Sequence, residues 1–227
     1  MSEPYISAYA DPEGESPWAL QCVVNETNEF SENALAQATA HAVVAFLDAA
    51  RTNPEWGAAV DRWRQGRIRK ILRRAKNARW DKLDSEEGVT TTFNGITVRV
   101  FVPSAMDEIP ANIRKCQVSG IKVTDNEWLA PPKVAPRLQI YTNGSLGMSP
   151  GKAAIAAAHV AHLTAERLTA EEYEQWKNDG YPMALSRLTN IGEWVERYCL
   201  VAIHDGGLTE VEPGSLTAIG IWYTGKN

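Results

Sequence analysis

The sequence contains no run of 18 apolar residues, and its first seventeen residues (MSEPYISAYADPEGESP) are polar and acidic. These absences argue against a membrane-spanning helix and a secretory leader, so a cytoplasmic protein is the expectation. Cysteine is scarce. Cys22, Cys116 and Cys199 each stand in apolar or strand-like runs, with no CxxC and no Cys/His ligand spacing. That pattern suits buried free thiols better than a disulfide framework or a metal centre. No Ser/His/Asp or Cys/His arrangement for nucleophilic catalysis stands out. A Walker phosphate loop is missing too: GxxxxGK ending at Lys152 would need glycine where Leu146 stands, and Ser or Thr where Ala153 stands. Net charge is −5 over 227 residues, which disfavours a generic nucleic-acid binder.

What is present centres on residues 138–162, LQIYTNGSLGMSPGKAAIAAAHVAH. A short apolar run breaks at Asn143-Gly144. Ser149-Pro150 then offers an N-cap followed by proline at the first helical position, both preferred at helix starts. The alanine-rich stretch after it predicts a helix able to lie close to a sheet. The odd residue is Lys152, a cation in the first turn, where exposed N–H groups already concentrate positive charge. Beside Gly151 and a loop, it offers donors and an ammonium to something negative.

The first half repeats this pattern. A gapless shift of 118 positions puts Leu20 on Leu138, Gln21 on Gln139, Asn25 on Asn143, Ser31 on Ser149 and His41 on His159. The reading is a true internal repeat in which Ala34 stands where Lys152 stands. Along the chain, residues 1–17 form a loose tail, 18–128 a first domain, 129–136 (LAPPKVAP) a linker and 137–227 a second domain. Within the first domain, a helix is expected near residues 33–50. A hairpin turning at Asn94-Gly95 is expected over 89–102, and a further strand-like run over 116–123.

Residues 62–82 carry ten Lys or Arg and one acid, Asp81. Ile68, Ile71 and Leu72 recur at helical spacing, so the expectation is a basic helix with one apolar stripe that tracks nucleic-acid phosphates. In the second half, TAEEYEQWKNDG (169–180) predicts a helix and MALSRL (183–188) a strand. A buried strand and a last strand follow, separated by Gly-Gly and Pro-Gly turns. Alternating strands and helices predict an α/β fold.

Two pieces of the second half carry a family resemblance. The run Met148-Ser149-Pro150-Gly151-Lys152, followed by the alanine helix with His159, resembles the MxxGKxAAQxxHA segment of the archaeal/eukaryotic-type (type 2) peptidyl-tRNA hydrolases. IHDGGLTEVEPGSLTAIGI resembles their DAGxTEVxPGTxTVxAIG ending. The whole chain is similar to a two-domain actinobacterial branch of that family. The resemblance implies a three-layer α/β/α fold on small mixed sheets, in two tandem copies. It also implies hydrolysis of the ester between peptide and tRNA, releasing both, without metal or cofactor.

By position, Lys152, Asp205, Thr209 and Thr217 would be the catalytic set, with Ser149, Gly151 and His159 binding substrate. Asp205 would orient or deprotonate water, and Lys152 with the helix N–H groups would hold the oxyanion or a nearby phosphate. Arg67, Arg69, Lys70, Arg73, Arg74, Lys76 and Arg79 would bind tRNA. The family's second lysine and its glutamine are missing, since Pro150 and Ala156 stand there. In the first copy, Pro103 and Asp107 replace the catalytic Asp and Thr, so that copy would be inactive, making a monomeric pseudo-dimer; a homodimer is the other arrangement. The competing readings are a non-catalytic tRNA- or RNA-binding protein on the same fold, and an interaction protein docking an acidic surface.

Overall fold

The computed structural model describes residues 11–124, 135, 137–193, 195 and 199–225. The expected linker at 129–136 lies almost wholly outside them. Strand β1 (Trp18–Asn25) leads into helix α1 (Glu32–Thr52), which Ser31 caps by accepting the Ala34 N–H. Helix α2 (Pro54–Arg64) starts at Asn53, whose side chain accepts from Glu55 and Trp56. Strand β2 (Arg69–Ala75) returns parallel to β1, a pairing that requires such a helical crossover. A short helix α3 (Ala78–Asp81) precedes the hairpin of β3 (Gly88–Phe93) and β4 (Ile96–Phe101). Its turn is Asn94-Gly95, both at positive φ, as the right-handed twist of hairpins favours. A two-residue strand β5 (Ser104–Ala105) pairs with β1, and helix α4 (Ala111–Arg114) follows.

The second half runs β6 (Arg137–Asn143), α5 (Pro150–Arg167), α6 (Ala170–Asn178), β7 (Met183–Leu188), β8 (Val201–His204) and β9 (Leu216–Tyr223). Strand order is β2-β1-β4-β3 in one sheet and β7-β6-β9-β8 in the other. In both, the first pair is parallel and the others antiparallel. The two mixed sheets therefore share order and strand direction. The 118-residue offset matches the two N-caps, Ser31 and Ser149, and also matches the registers: Leu20 opposes Lys70 where Leu138 opposes Met183.

One apolar core joins the halves. It contains Leu20, Cys22 and Leu72 from the first sheet, Leu138, Ile140 and Leu185 from the second, and the alanine faces of α1 and α5. The two helices pack on each other, α1 also reaching β7 and α5 reaching β2. Small side chains permit this, and Gly220 of β9 takes it furthest. A Cβ there would lie 2.5 Å from Val160 Cγ1 of α5. Polar ties cross the same boundary: Arg187 pairs with Glu32 at 3.1 Å, and Asp48 with Lys177 at 3.0 Å. On the opposite face of the first sheet, Val23, Ala75 and Phe101 pack with Leu83, Ile109 and Ile113.

Three expectations are corrected. The basic stretch forms no continuous helix: its first residues end α2, and Arg69–Ala75 is the edge strand β2. Lys and Arg favour helix locally, but pairing with β1 over seven residues overrides that preference, and long cations suit an edge because they discourage further pairing. Residues 116–123 form no strand; Gln117 makes only an isolated bridge to Arg74. The tail is tied down from residue 11, where Asp11 grips Arg69 and Glu15 pairs with Arg62.

Candidate active site

The loops that follow β6 and β8 bring three of the expected catalytic residues together. Lys152, in the first turn of α5, places Nζ 2.6 Å from Asp205 Oδ2 and 3.3 Å from Thr209 Oγ1. Asp205 follows β8 directly. Its other oxygen, Oδ1, accepts the Gly207 N–H at 2.8 Å, so the carboxylate both caps its turn and pairs with Lys152. Gly207 has φ +70, and a Cβ there would lie 2.3 Å from Pro213 Cγ, so the turn needs glycine. The ion pair is largely sheltered, at 12% exposure for Lys152 and 17% for Asp205. Thr217 sits apart in its bonding: it is buried on β9 and donates to the Ile203 carbonyl at 3.2 Å.

At the helix start, Ser149, expected to bind substrate, is already engaged, while Gly151 lines the cavity. Ser149 Oγ accepts the Lys152 N–H at 3.2 Å and donates to Glu210 Oε1 at 2.8 Å. The Ser149 N–H donates to the other Glu210 oxygen at 2.9 Å. Glu210 thus occupies the positive end of α5, where a carboxylate is stabilised by the helix dipole. It does so at φ +64, a conformation that non-glycine residues rarely adopt. The Ser149 N–H is thus occupied by a carboxylate of the chain itself. Sequence reasoning misses Glu210, although it lies inside the GLTEVEPG run.

Beside the Lys152–Asp205 pair opens a cavity of about 490 Å³ between the two halves. Its second-half wall includes Gly151, Ile155, Ala156, His159, Leu163 and Ile203, and its first-half wall includes Ile68, Lys70, Leu72, Met106 and Val118. With alanine at 156, where the resemblance would put glutamine, these second-half residues other than His159 are apolar. Arg67, Arg69 and Arg73 add cations from the first half, and so does Lys70. Its ammonium, from β2, lies 3.0 Å from His159 Nδ1 and 3.1 Å from His162 Nδ1 on α5, and 4.9 Å from the Trp63 ring centre. His162 stacks on Trp63, its Nε2 lies 2.9 Å from Glu166 Oε1, and Glu166 pairs with Arg64 at 3.1 Å.

The protonation states form a consistent set. Burial, reinforced by the Lys70 charge, holds His159 well below its usual value and His162 at about 4. Both rings are then neutral, and their Nδ1 atoms accept from Lys70. Burial raises Glu166, but the His162 hydrogen bond and the Arg64 and Lys70 charges outweigh it and keep the carboxyl low. Burial, helped by the Arg64 charge, pulls Lys70 itself down to about 7, against the pull of Glu166. His162, Glu166 and Trp63 carry no functional signal in the sequence, since their meeting depends on packing between halves.

The cations expected to form one phosphate-tracking surface diverge. Lys70 and Arg73 are buried, and Arg73 donates to Gln21 Oε1 and the Cys116 carbonyl. Arg69 is held by Asp11 and Arg74 by Glu26, while Arg67 lies 3.9 Å from Asp11. Lys76 and Arg79 are exposed. Within β2, alternation puts Lys70 and Arg74 on one face of the sheet and Arg69 and Arg73 on the other.

Part of the chain is similar to known proteins. Peptidyl-tRNA hydrolase of Methanococcus maripaludis (strain C7) is 33% identical over 93 residues, covering 36% of this chain and 80% of the relative. Peptidyl-tRNA hydrolase of Sulfolobus acidocaldarius is 31% identical over 101 residues, covering 37% of this chain and 84% of the relative. That of Sulfurisphaera tokodaii is 28% identical over 103 residues, covering 39% and 85%. No protein-family model matches the chain.

Proposed function

Because this chain belongs to the peptidyl-tRNA hydrolase family, we propose that it hydrolyses the ester joining a peptide, or an N-blocked aminoacyl group, to tRNA. The observation that supports this reading best is the sheltered Lys152–Asp205–Thr209 constellation at the edge of the inter-half cavity. Ester cleavage needs a water aimed at the carbonyl carbon, a proton acceptor for it, and charge stabilisation for the oxyanion that forms. Asp205 receives the water's proton while the Gly207 N–H holds its carboxylate in place. Lys152, fixed by Asp205 and Thr209, stabilises the oxyanion and then the departing ribose oxygen, which takes the proton that Asp205 received. Thr217, bonded to the strand beneath Asp205, acts as a positioning residue.

In this reading the two halves are tandem copies of one fold, and the first is catalytically silent. Ala34 stands where Lys152 stands, and Pro103 and Asp107 stand in place of the acid and the threonine. The first copy supplies a cavity wall instead. The deciding experiment is release of the acyl group from N-acetyl-aminoacyl-tRNA, wild type beside Lys152→Ala, with chelator present. Turnover that falls by about 10²–10³ in the variant, with tRNA binding retained, supports the assignment. Unchanged turnover in the variant removes Lys152 from the mechanism. No turnover in the wild type, with tRNA still bound, favours a binding protein on this fold.

A further inference from the structure

The first half places an unusual residue in the wall of the site. In the register shared by the two sheets, Lys70 occupies the position of Met183, a fully buried methionine. An apolar side chain is the inexpensive choice there, because burying an ammonium is strongly unfavourable unless partners compensate. Lys70 has those partners only in part. An ammonium carries three N–H donors. Two meet His159 Nδ1 and His162 Nδ1, and the residue also lines the cavity. One donor and the positive charge are thereby offered to whatever enters.

The chamber's occupant follows from the neighbouring chemistry. An ester whose carbonyl lies at Lys152 and Asp205 puts its α-nitrogen two bonds away, on the acyl side. The cavity beside that pair includes Ile155, Ala156, Leu163 and Leu72 in its lining. Those side chains suit an apolar acyl group, and the carboxylates that also line the cavity, Asp205 and Glu210, are already engaged by Lys152 and Ser149. Lys70 and Lys152 both line this cavity, and the charges of both depress His159. The acyl chamber therefore has a cation from each half in its wall. Resting on the ester-hydrolase reading above, we propose that Lys70 is a specificity-determining residue that makes the site select N-acylated over free-amine aminoacyl esters. Its ammonium donates to the amide carbonyl of an N-acyl group, and it repels an α-ammonium. A desolvated like-charge pair is strongly disfavoured, and a donor left without its acceptor adds to the rejection.

The groups facing Lys70 fix how this responds to pH. They are Cys22 on β1, Arg64 on α2, and His159, His162 and Glu166 on α5. Burial pushes the Cys22 thiol up to about 12, so it stays neutral. The histidines are neutral as well, which leaves the Arg64–Glu166 pair and Lys70 as the charged groups.

The test measures kcat/KM for three esters of one tRNA: N-acetyl-aminoacyl, α-hydroxyacyl and free aminoacyl. The hydroxyacyl ester lacks both the cation and the amide carbonyl, so it separates repulsion from acceptance. In the wild type at pH 6.5 the expected order is N-acetyl, then hydroxyacyl, then aminoacyl. Lys70→Met, checked for folding by thermal unfolding, is expected to lose roughly tenfold or more of the acetyl-over-amino preference. The loss should come from slower acetyl ester cleavage and faster amino ester cleavage together. Undiminished preference in a folded Lys70→Met overturns the proposal. So does equal cleavage of hydroxyacyl and aminoacyl esters by the wild type, a result that requires no variant. A wild type that cleaves none of the three esters fails the ester-hydrolase reading itself, which is a different outcome from either.

Discussion

Replacing Lys70 with methionine should change stability in a way that depends on pH, with a sign the structure dictates. Burial lowers the Lys70 ammonium from 10.5 to about 7 in the folded chain. The unfolded chain therefore binds a proton that the folded chain releases between those two values. Stability rises with pH across that window, and below about pH 7 the full cost of the buried charge is present. At about 1.36 kcal/mol for each pH unit, that cost approaches 5 kcal/mol. Methionine removes it, but leaves the Nδ1 acceptors of His159 and His162 without a donor. The buried His162 acceptor costs about 1–3 kcal/mol, and His159, which lines the cavity, less. The net expectation at pH 7 is a variant about 1–3 kcal/mol more stable than the wild type. Between pH 7 and pH 9 the wild type should recover about 2 kcal/mol relative to the variant. Urea unfolding at those two pH values measures both quantities. Wild-type and variant stabilities that run parallel from pH 7 to pH 9 would rule out a buried, titrating Lys70, whichever protein is the more stable.

Other expectations are more local. Asp205→Asn should lower ester turnover by about 10²-fold or more while tRNA binding persists, because an amide cannot take the water's proton; single-turnover kinetics beside a binding titration would show this. Gly220→Ala should destabilise the protein by about 1–3 kcal/mol, since its Cβ would lie 2.5 Å from Val160 and α5 cannot retreat without opening the shared core. An unchanged melting temperature would mean that helix and sheet are free to separate at this point. Neutralising the exposed Lys76 and Arg79 should flatten the plot of log affinity for tRNA against log salt, by about one unit of slope for each phosphate no longer paired. The Arg73→Gln change should instead lower stability, seen as a lower urea midpoint, because Arg73 is buried against Gln21 and the Cys116 carbonyl.

Half of the site is legible in the sequence. Ser149-Pro150 starts α5 where the capping signals put it, and Asn94-Gly95 turns the hairpin as expected. Both depend on backbone preferences confined to a few neighbouring residues, so the sequence carries them in full. Motif alone points to Lys152, Asp205 and Thr209, and they meet because each lies in or next to the loops at the ends of β6 and β8. Glu210 lies within the same motif and still escapes, since its task requires a loop folded back on a helix end.

The basic stretch behaves in the opposite way. Its composition favours helix, and nothing within residues 69–75 indicates that β1 will claim them as a parallel edge strand. Once they pair, alternation sends Lys70 inward toward α5 and leaves its neighbour Arg69 to Asp11. Caps, turns, the repeat of 118 residues and the polar residues of the loop site are properties of short stretches, and each can be read from the residues that form it. That a lysine of one half enters the site of the other is a property of the assembled molecule, because burial and strand register arise from contacts between segments distant in sequence.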